Sequence, residues 1–405
     1  MSDISTLFDE DFWRDPYPAY RELRELAPVR TVVTPDGLRV WLVTRYADVR
    51  AGLNDPRLSK DLTTVQHLFE RHTVDGVAVR RVDTTVAQHM LSTDPPAHTR
   101  LRTLVGKAFT ARRIAELGPR IEEISAQLLD ALGDATEVDI VAEYAFPLAI
   151  TVICELLGLP ETDQDRFQQW TKDYNDSGAP EKVNAAAHLI AEYVSGLIED
   201  KRLREDGADD LLSALIDATD SGDRLTADEL VAMVFLLLSA GHETTVNLVS
   251  GGMLTLVRHP DRLAALRADL SRLPAAIEEL LRYDSPVNTA TVRFTTAPVT
   301  LGDTEIPSGE FVLFGLAAAN RDPSRFEEPD DFALSRGTNS HLSFGHGIHY
   351  CLGAPLARLE ASTAFRDWFA RYNTIELADQ SMVLDYRRSL LMRGPTSLRL
   401  RVASA

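Results

Sequence analysis

A cysteine in a glycine-rich loop has the surroundings in this sequence that best suit metal chemistry. Cys351 lies in the segment FGHGIHYCLG, residues 344–353, whose glycines allow tight turns and close approach to a flat partner. A helical apolar run, residues 352–365, follows at once. Free amides at a helix N-terminus lower the pKa of a thiol and favour the thiolate. A thiolate held by backbone amides is a good ligand for a soft metal.

Two other interpretations of this cysteine remain open on the residues alone. A lone cysteine is commonly a small buried hydrophobe, and we assign that role to Cys154 in the apolar stretch 150–157. A zinc site would use His346, His349 and Cys351. These are too few ligands at an unsuitable spacing, and the sequence has no second cluster.

A second group of chemically capable residues interrupts a long apolar helix. Thr226 and Glu229 form a capping box, and the predicted helix runs from there to about Arg258. Residues 231–240 are apolar on all sides, which indicates burial. Residues 241–245, GHETT, then place polar groups inside the buried helix, where they are costly unless they are paired.

This polar segment has two explanations. We expect the hydroxyl of Thr244 to bond the carbonyl of Ala240 and to distort the turn. The segment is then either a kink from which Glu243 reaches solvent or a groove where the opened turn meets a ligand or water.

The elements that position these residues are mainly helices. Helical periodicity marks residues 17–26 and most of 99–220, including one amphipathic helix at 113–132. Residues 60–90 lack periodicity and predict a long functional loop. Strand-like alternation marks residues 29–44, 293–316 and 397–402. We predict a mainly α (α+β) fold in one domain, residues 1–405, because no linker divides the chain.

Composition excludes several classes of protein. The net charge of −19 argues against nonspecific binding to nucleic acid or to an anionic membrane. Two cysteines exclude a disulfide framework and favour a reducing compartment. The acidic N-terminus has no apolar signal-peptide core, and the longest apolar run falls short of the roughly 20 residues that span a bilayer. We therefore expect a cytoplasmic protein.

Three motifs together resemble the cytochrome P-450 family. Residues 240–244, AGHET, resemble its oxygen-activation motif, and residues 279–282, ELLR, resemble its ExxR motif. The cysteine loop carries the haem-ligand pattern at Phe344, Gly345, Gly347, His349, Cys351 and Gly353. The motifs occur in the family's order, and the resemblance covers essentially the whole chain. It is strongest to soluble bacterial enzymes that hydroxylate macrolides, polyketides, terpenoids and sterol-like molecules.

The resemblance implies roles around a haem b cofactor. The Cys351 thiolate would be the axial ligand of the iron, with Phe344 and Gly345 packed beside it. Ala240 and Gly241 would approach the opposite face of the haem. Thr244 and Glu243 would be the alcohol and acid that deliver protons for cleavage of O2.

The resemblance also implies two supporting groups of residues. Glu279 and Arg282, joined by Arg336, would form a buried ion-pair network that braces the haem loop, although one ExxR by itself indicates only a surface pair. The haem propionates would be bound by His98, Arg102, Arg293 and His349, each of which alone would pass for a surface cation.

A basic segment lies within this acidic protein. Between His98 and Arg120 one acid, Glu116, accompanies Arg100, Arg102, Lys107, Arg112, Arg113 and Arg120, a net charge of +5. Such a segment is either a solvated helix face or a docking surface for an acidic electron carrier. The resemblance favours docking of a ferredoxin at Arg112 and Arg113, with electrons supplied by NAD(P)H through a ferredoxin reductase.

The implied reaction is monooxygenation with O2, as hydroxylation or epoxidation of a bulky and largely apolar small molecule. A haem-binding sensor and a haem-thiolate enzyme that uses peroxide or couples phenols are the alternatives. We expect a monomer with an apolar pocket. The residues expected to line it are Val86, Met90, Val234, Leu237, Val287, Leu390 and Leu391.

Overall fold

A computed structural model describes residues 7–80, 84–107, 109–159, 164–174, 180–203, 210–220, 225–336 and 340–404. Most of these residues are helical, which confirms the predicted mainly α architecture. Helices α1 to α18 are Glu10–Arg14, Tyr17–Leu26, Tyr46–Leu53, Gln66–His72, Thr84–Ala87, Ala97–Gly106, Ala111–Glu116, Gly118–Ala131, Phe146–Leu157, Gln164–Tyr174, Pro180–Leu203, Leu211–Asp220, Ala227–Gly241, Glu243–Arg258, Pro260–Ala268, Leu273–Tyr283, Leu316–Ala319 and Ala354–Arg371.

Three small sheets complete the described part of the chain. Strands β1 to β10 are Val29–Val33, Arg39–Val43, Leu58–Ser59, Glu137–Asp139, Arg293–Thr295, Val299–Leu301, Thr304–Ile306, Phe311–Phe314, Tyr372–Leu377 and Arg399–Ser404. The largest sheet has the order β1-β2-β8-β5-β3. The predicted hairpin within residues 29–44 is present, with Val33 opposite Arg39. Because β2 pairs in parallel with β8, the sheet joins this hairpin to the predicted strand segment 293–316.

The consecutive helices α13 and α14 form the centre of the fold. Thr226 and Glu229 close both hydrogen bonds of the predicted capping box at the start of α13. Every residue from Leu230 to Ser239 is buried. The stretch Ala227–Arg258 is long and apolar enough to cross a membrane, but 78% of its apolar window is buried inside the protein. It therefore packs as the core helix of a folded domain does.

The predicted continuous helix is wrong at one residue, because α13 and α14 are separated at His242. The backbone there departs from the helix, with φ −112° and ψ −47°. The Nδ1 atom of His242 lies 2.9 Å from the carbonyl of Leu238, which in a regular helix accepts the backbone N–H of residue 242. A side chain thus replaces a backbone donor at the break.

The predicted single helix over residues 113–132 is also wrong. It divides at Leu117 into α7 and α8. Pro119 lies in the first turn of α8, where a missing N–H is tolerated, whereas inside a longer helix it would remove a hydrogen bond to residue 115.

A buried acid joins the central helix to α18. Glu360 of α18 is 1% exposed and accepts a hydrogen bond of 2.8 Å from the hydroxyl of Thr245. Its other carboxyl oxygen has no partner among the described residues. Burial raises the pKa of Glu360 from 4.5 to about 8, which the hydrogen bond from Thr245 only partly opposes. The carboxyl group is therefore protonated at neutral pH.

The Glu360→Gln variant should be more stable than the wild type at pH 8 and nearly equal to it at pH 5. Between the unfolded pKa near 4.5 and the folded pKa near 8, only the unfolded chain ionises, so the wild type loses stability as the pH rises. The amide does not ionise, and we expect a gain of roughly 3 kcal/mol across this interval. Urea unfolding of the haem-loaded proteins at both pH values measures this difference in the free energy of unfolding. An equal difference at both would contradict the assignment.

Candidate active site

The cysteine loop is a tight turn fixed by its own backbone. The N–H of Cys351 donates to the carbonyl of Phe344 at 2.9 Å. Gly345 and Gly347 have φ of 72° and 73°, values that favour glycine. A Cβ at Gly347 would lie 3.0 Å from the side-chain oxygen of Asn54. Residue 347 must therefore be small because this loop packs against the end of α3.

The Cys351 thiol sits between two opposing influences. Desolvation raises its pKa, whereas the backbone N–H groups of Gly353 and Ala354 and the charge of Arg102 lower it. The predicted lowering by helix amides is present, but it is wrong as the net effect because desolvation is larger. A metal cation deprotonates such a thiol on coordination. Residue 351 as a whole is exposed, whereas its thiol is desolvated.

Phe344 takes a defined position beside this loop. The guanidinium of Arg358 lies 4.5 Å from the centre of its ring. Arg358 in turn makes a bidentate ion pair with Glu278, at 2.6 and 2.9 Å. Arg358 and His341 hold the pKa of Glu278 at about 2 despite its desolvation. The aromatic side of the loop is thus anchored to α16.

The polar segment of the central helix forms an opened turn. As predicted, the hydroxyl of Thr244 donates to the carbonyl of Ala240, at 3.1 Å. Ala240 is exposed to a cavity, unlike the buried residues before it. A Cβ at Gly241 would lie 2.8 Å from the side chain of Ile153. Glycine at this position is therefore explained by the packing of α13 on α9.

Glu243 is buried and paired. It is 3% exposed, and its carboxylate accepts a hydrogen bond of 3.0 Å from Arg387. The side chain of Arg387 is 23% exposed and so extends from the buried acid towards solvent. Arg387 lies 144 residues from Glu243 along the chain. No local motif marks it, so it could not be predicted from the sequence.

The predicted ion-pair network is present and buried. Arg282 donates two hydrogen bonds of 2.8 Å to Glu279, and Arg336 donates a third of 3.1 Å. Arg282 also donates to the carbonyls of Asn320, Pro329 and Asp331. The Glu279–Arg282 pair lies within α16, and the contacts with Asn320, Pro329, Asp331 and Arg336 join that helix to the segments that precede the cysteine loop.

Asn320 carries this network to the loop itself. Its side-chain oxygen accepts the N–H of Leu342 at 2.6 Å, and its amide donates to the hydroxyl of Ser343 at 2.8 Å. Ser343 donates to the carbonyl of Leu281 at 2.6 Å. The residues just before Phe344 are thus hydrogen-bonded to the helix that carries Glu279 and Arg282.

The four predicted propionate partners converge on one region. The rings of His98 and His349 lie 4.4 Å apart. Both ring nitrogens of His98 and the Nε of Arg293 are buried without a well-formed hydrogen bond to the described residues. Burial lowers the pKa of Arg293 to about 10. Burial and neighbouring cations lower that of His349 to about 2. Arg102 donates to the carbonyl of Tyr350 at 2.6 Å.

Lys60 also lies in this region, although no sequence motif marks it. It is 4% exposed. The charge of Arg293 adds to burial in lowering the pKa of Lys60, and Lys60 in turn contributes to the lowered pKa of His349. Asp94 is the carboxylate that faces this cluster. When Lys60 is protonated, the charges of Lys60, Arg102 and Arg293 against Asp94 leave two positive charges in excess. A ligand with two carboxylates would balance them.

A cavity of about 270 Å³ adjoins Ala240. Leu390 and Leu391 line it, and α13 contributes Phe235, Leu236, Ser239 and Ala240. Positions 235 and 239 are four residues apart, as are 236 and 240, so the four side chains share one face of the helix.

The other expected lining residues lie elsewhere, and we correct the prediction for them. Val86, Met90, Val234 and Leu237 do not line this cavity and pack within a buried hydrophobic cluster. Positions 234 and 237 fall on a different face of α13 from the four that line it. Val287 pairs with Met392 in an isolated bridge and packs beside a second cluster.

Ion pairs partly offset the charge of the basic segment. Arg100 pairs with Glu229, and Arg120 pairs with Glu155 and Glu123. The expected net charge of +5 is therefore reduced by acids from other elements and by Glu123. Arg112 stays 83% exposed, at 3.9 Å from Glu116, and Arg113 is half-buried.

Known proteins are similar to this chain. The family profile for Cytochrome P450 matches residues 164–402. Cytochrome P450 107B1 of Saccharopolyspora erythraea is 49% identical over 97% of this chain and 96% of its own length. The chain belongs to the cytochrome P450 family.

Two other relatives of this P450 are named for the reactions they catalyse. The vitamin D(3) 25-hydroxylase of Pseudonocardia autotrophica is 48% identical over 96% of this chain and 94% of its own length. The 6-deoxyerythronolide B hydroxylase of Saccharopolyspora erythraea is 43% identical over 99% of this chain and 100% of its own.

Two solved structures have the same fold. The P450 monooxygenase TamI, bound to tirandamycin C, superposes with a TM-score of 0.90 at 46% identity, over 98% of this chain and 99% of its own. A myxobacterial cytochrome P450, CYP267B1, in complex with myristic acid, superposes with a TM-score of 0.92 at 38% identity over 100% of both chains.

Cytochromes P450 hold haem through a cysteine thiolate, and the residues of this P450 fit that group. Cys351 supplies a free thiol in a glycine-rich turn. The unsatisfied nitrogens of His98 and Arg293 supply donors. The excess of two positive charges matches the two propionates. Cys351 would therefore hold the iron, and His98, Arg102, Arg293 and His349 would hold the propionates.

Replacing Arg282 by lysine should destabilise the haem loop. Lysine keeps the charge but cannot reproduce the bidentate pair with Glu279 together with three carbonyl contacts, and each buried acceptor left without a donor costs about 1–3 kcal/mol. We expect Arg282→Lys to yield little haem-loaded protein and to unfold at lower urea. The matched control, Arg262→Lys, changes an arginine with a half-exposed side chain and should stay within about 0.5 kcal/mol of the wild type. Equal stability of both variants would refute a bracing role.

Proposed function

We propose that this P450 is a ferredoxin-dependent monooxygenase that hydroxylates or epoxidises a polyketide or a similarly bulky apolar molecule. The observation that carries the proposal is the opened turn beside the cavity, where Thr244, Glu243 and Ala240 lie together. A haem carrier without turnover has no need of an alcohol and an acid at this point. Location in the cytoplasm, a monomeric state and a single domain over residues 1–405 stay predictions.

The residues of the turn are suited to proton delivery. Bound haem would supply the activation of O2 and the transfer of one oxygen atom to a C–H bond, while the other leaves as water. The Thr244 hydroxyl donates to Ala240, which leaves its oxygen lone pairs to hold a water at the turn. Glu243 is the adjacent proton carrier, and Arg387 fixes its carboxylate and extends towards solvent.

The substrate class rests on the cavity and on the relatives. Apolar side chains dominate its wall, including Phe235, Leu236, Leu390, Leu391 and Met392. Such a wall favours a large apolar ligand held by few polar contacts. The relatives named for 6-deoxyerythronolide B, for tirandamycin C and for vitamin D(3) point to polyketides first and to sterol-like molecules second.

A surface near the cysteine loop supports docking of an electron carrier. Helix α7, with Arg112 and Arg113, packs against α18, the helix that follows Cys351. Ile348 and Tyr350 of the cysteine loop are exposed at 48% and 41%. Exposed apolar side chains with nearby arginines suit an acidic protein partner such as a ferredoxin.

The Thr244→Ala variant should bind haem and substrate but waste electrons. Without the hydroxyl the turn cannot hold its water, so proton delivery fails and reducing equivalents leave as hydrogen peroxide. We expect product per NAD(P)H to fall several-fold and peroxide to rise. Thr244→Ser keeps the hydroxyl and should stay coupled. Tight coupling in the alanine variant would remove Thr244 from the mechanism.

A ligand screen tests the substrate class. Displacement of water from ferric haem shifts its absorption, so binding is read directly in the purified protein. We expect macrolactone and linear polyketides to bind more tightly than sterols, and sterols more tightly than polar aromatic compounds. Product analysis with ferredoxin, reductase and NAD(P)H follows for the ligands that bind. Preference for small polar aromatics would contradict the proposal.

Charge reversal at the docking surface should slow reduction. We expect the double variant Arg112→Glu, Arg113→Glu to accept electrons from reduced ferredoxin about tenfold more slowly at low salt. Its rate should also depend less on ionic strength. Arg39→Glu, which changes an exposed arginine on β2, is the control. If the double variant and the control are reduced at the same rate, the donor docks elsewhere.

A further inference from the structure

Lys60 is a buried ammonium in the wall of the cavity. It is 4% exposed, it lines the cavity, and its Nζ donates to the hydroxyl of Thr291. Burial is the main cause that lowers its pKa well below the usual value, and Arg293 adds to this effect. A buried charge is costly unless a counter-charge accompanies it. An anionic group beside Lys60 would therefore favour its charged form.

The protein does not supply that neighbour at contact distance. Asp94 is the nearest candidate, but its two oxygens accept the backbone N–H of Lys60, at 3.2 Å, and the hydroxyl of Ser59. No carboxylate of the described residues forms an ion pair with the Lys60 ammonium. The pairing of this charge is thus left to a ligand.

The groups around Lys60 match a carboxylate. Thr291 accepts from Lys60 with its oxygen, so its own O–H is left to donate. His89 also lines the cavity, is buried, and has an Nδ1 without a well-formed hydrogen bond to the described residues. An ammonium and a hydroxyl donor at one point of an apolar wall suit an acidic group on an otherwise apolar molecule.

We propose that Lys60 and Thr291 form a carboxylate-binding site in the cavity wall. Two carboxylates are candidates for this site. One is an acid group of the substrate, since both residues face the cavity and a related P450 was solved with myristic acid. The other is a haem propionate, since Lys60 lies beside Arg293 and His349. Binding of a substrate acid rests on the proposed function, whereas binding of a propionate rests only on the presence of haem.

The experiment compares Lys60→Met with Lys107→Met, which removes the same charge from an exposed lysine. Both haem-loaded proteins are titrated with myristic acid and with its methyl ester, and the shift of the haem absorption reports binding. Haem transfer to excess apomyoglobin is timed in the same samples. If the site binds substrate acids, Lys60→Met weakens binding of the acid about tenfold relative to the ester. If it binds a propionate, haem loss accelerates about tenfold and the ratio of acid to ester is unchanged.

Two further variants test the same site while keeping a positive charge at residue 60. Lys60→Arg retains the positive charge and should restore most of the affinity for the acid, or most of the retention of haem, that Lys60→Met loses. If Lys60→Met cannot be purified, Thr291→Val takes its place, because it removes one hydroxyl of the site and should weaken binding of the same carboxylate. The proposal is overturned if Lys60→Met, or Thr291→Val in its place, equals the Lys107→Met control in both measurements. Loss of the thiolate spectrum in the wild type would instead refute haem ligation by Cys351.

Discussion

The buried ion pair between Glu279 and Arg282 is the interaction on which the cysteine loop depends. Its two charges lie where water cannot solvate them, so every donor of the guanidinium must find an acceptor in the protein. Those acceptors are Glu279 and the carbonyls of Asn320, Pro329 and Asp331, in segments far apart along the chain. Satisfying one arginine thus fixes the residues that lead into the loop. The thiol of Cys351 takes its position from this frame.

The same constraint explains the centre of the molecule. Helix α13 is apolar from Leu230 to Leu238, and the polar residues His242, Glu243 and Thr244 follow at its junction with α14. Each polar group there has a partner that opens the helix or crosses to another element. The His242 ring and the Thr244 hydroxyl lie at hydrogen-bonding distance from carbonyls of the preceding turn, and Arg387 binds Glu243. The break in the helix follows from pairing these groups.

Local motifs explain what could be predicted from the sequence and what could not. The capping box at Thr226, the hairpin at residues 29–44 and the bond from Thr244 to Ala240 depend on neighbours within a few residues, and all three are present. Breaks at His242 and Leu117 depend on side-chain geometry that periodicity does not express.

Long-range partners were harder to predict. Arg387 and Lys60 join their sites from distant segments without a motif, and the pocket lining depends on the rotation of α13 about its axis. Family resemblance compensated for this only where a pattern names the residue, as it does for Arg336 and Arg293. The pKa of Cys351 shows the same limit, because helix amides are visible in the sequence and desolvation is not.

The central claim is that Cys351 holds a haem iron as a thiolate. The most direct test is the absorption spectrum of the reduced, carbon monoxide-bound protein for Cys351→His beside Cys154→Ser, which removes the other, buried cysteine. The account predicts that Cys154→Ser keeps the long-wavelength band of a thiolate-ligated haem and that Cys351→His loses it. An unchanged band in Cys351→His would contradict the account.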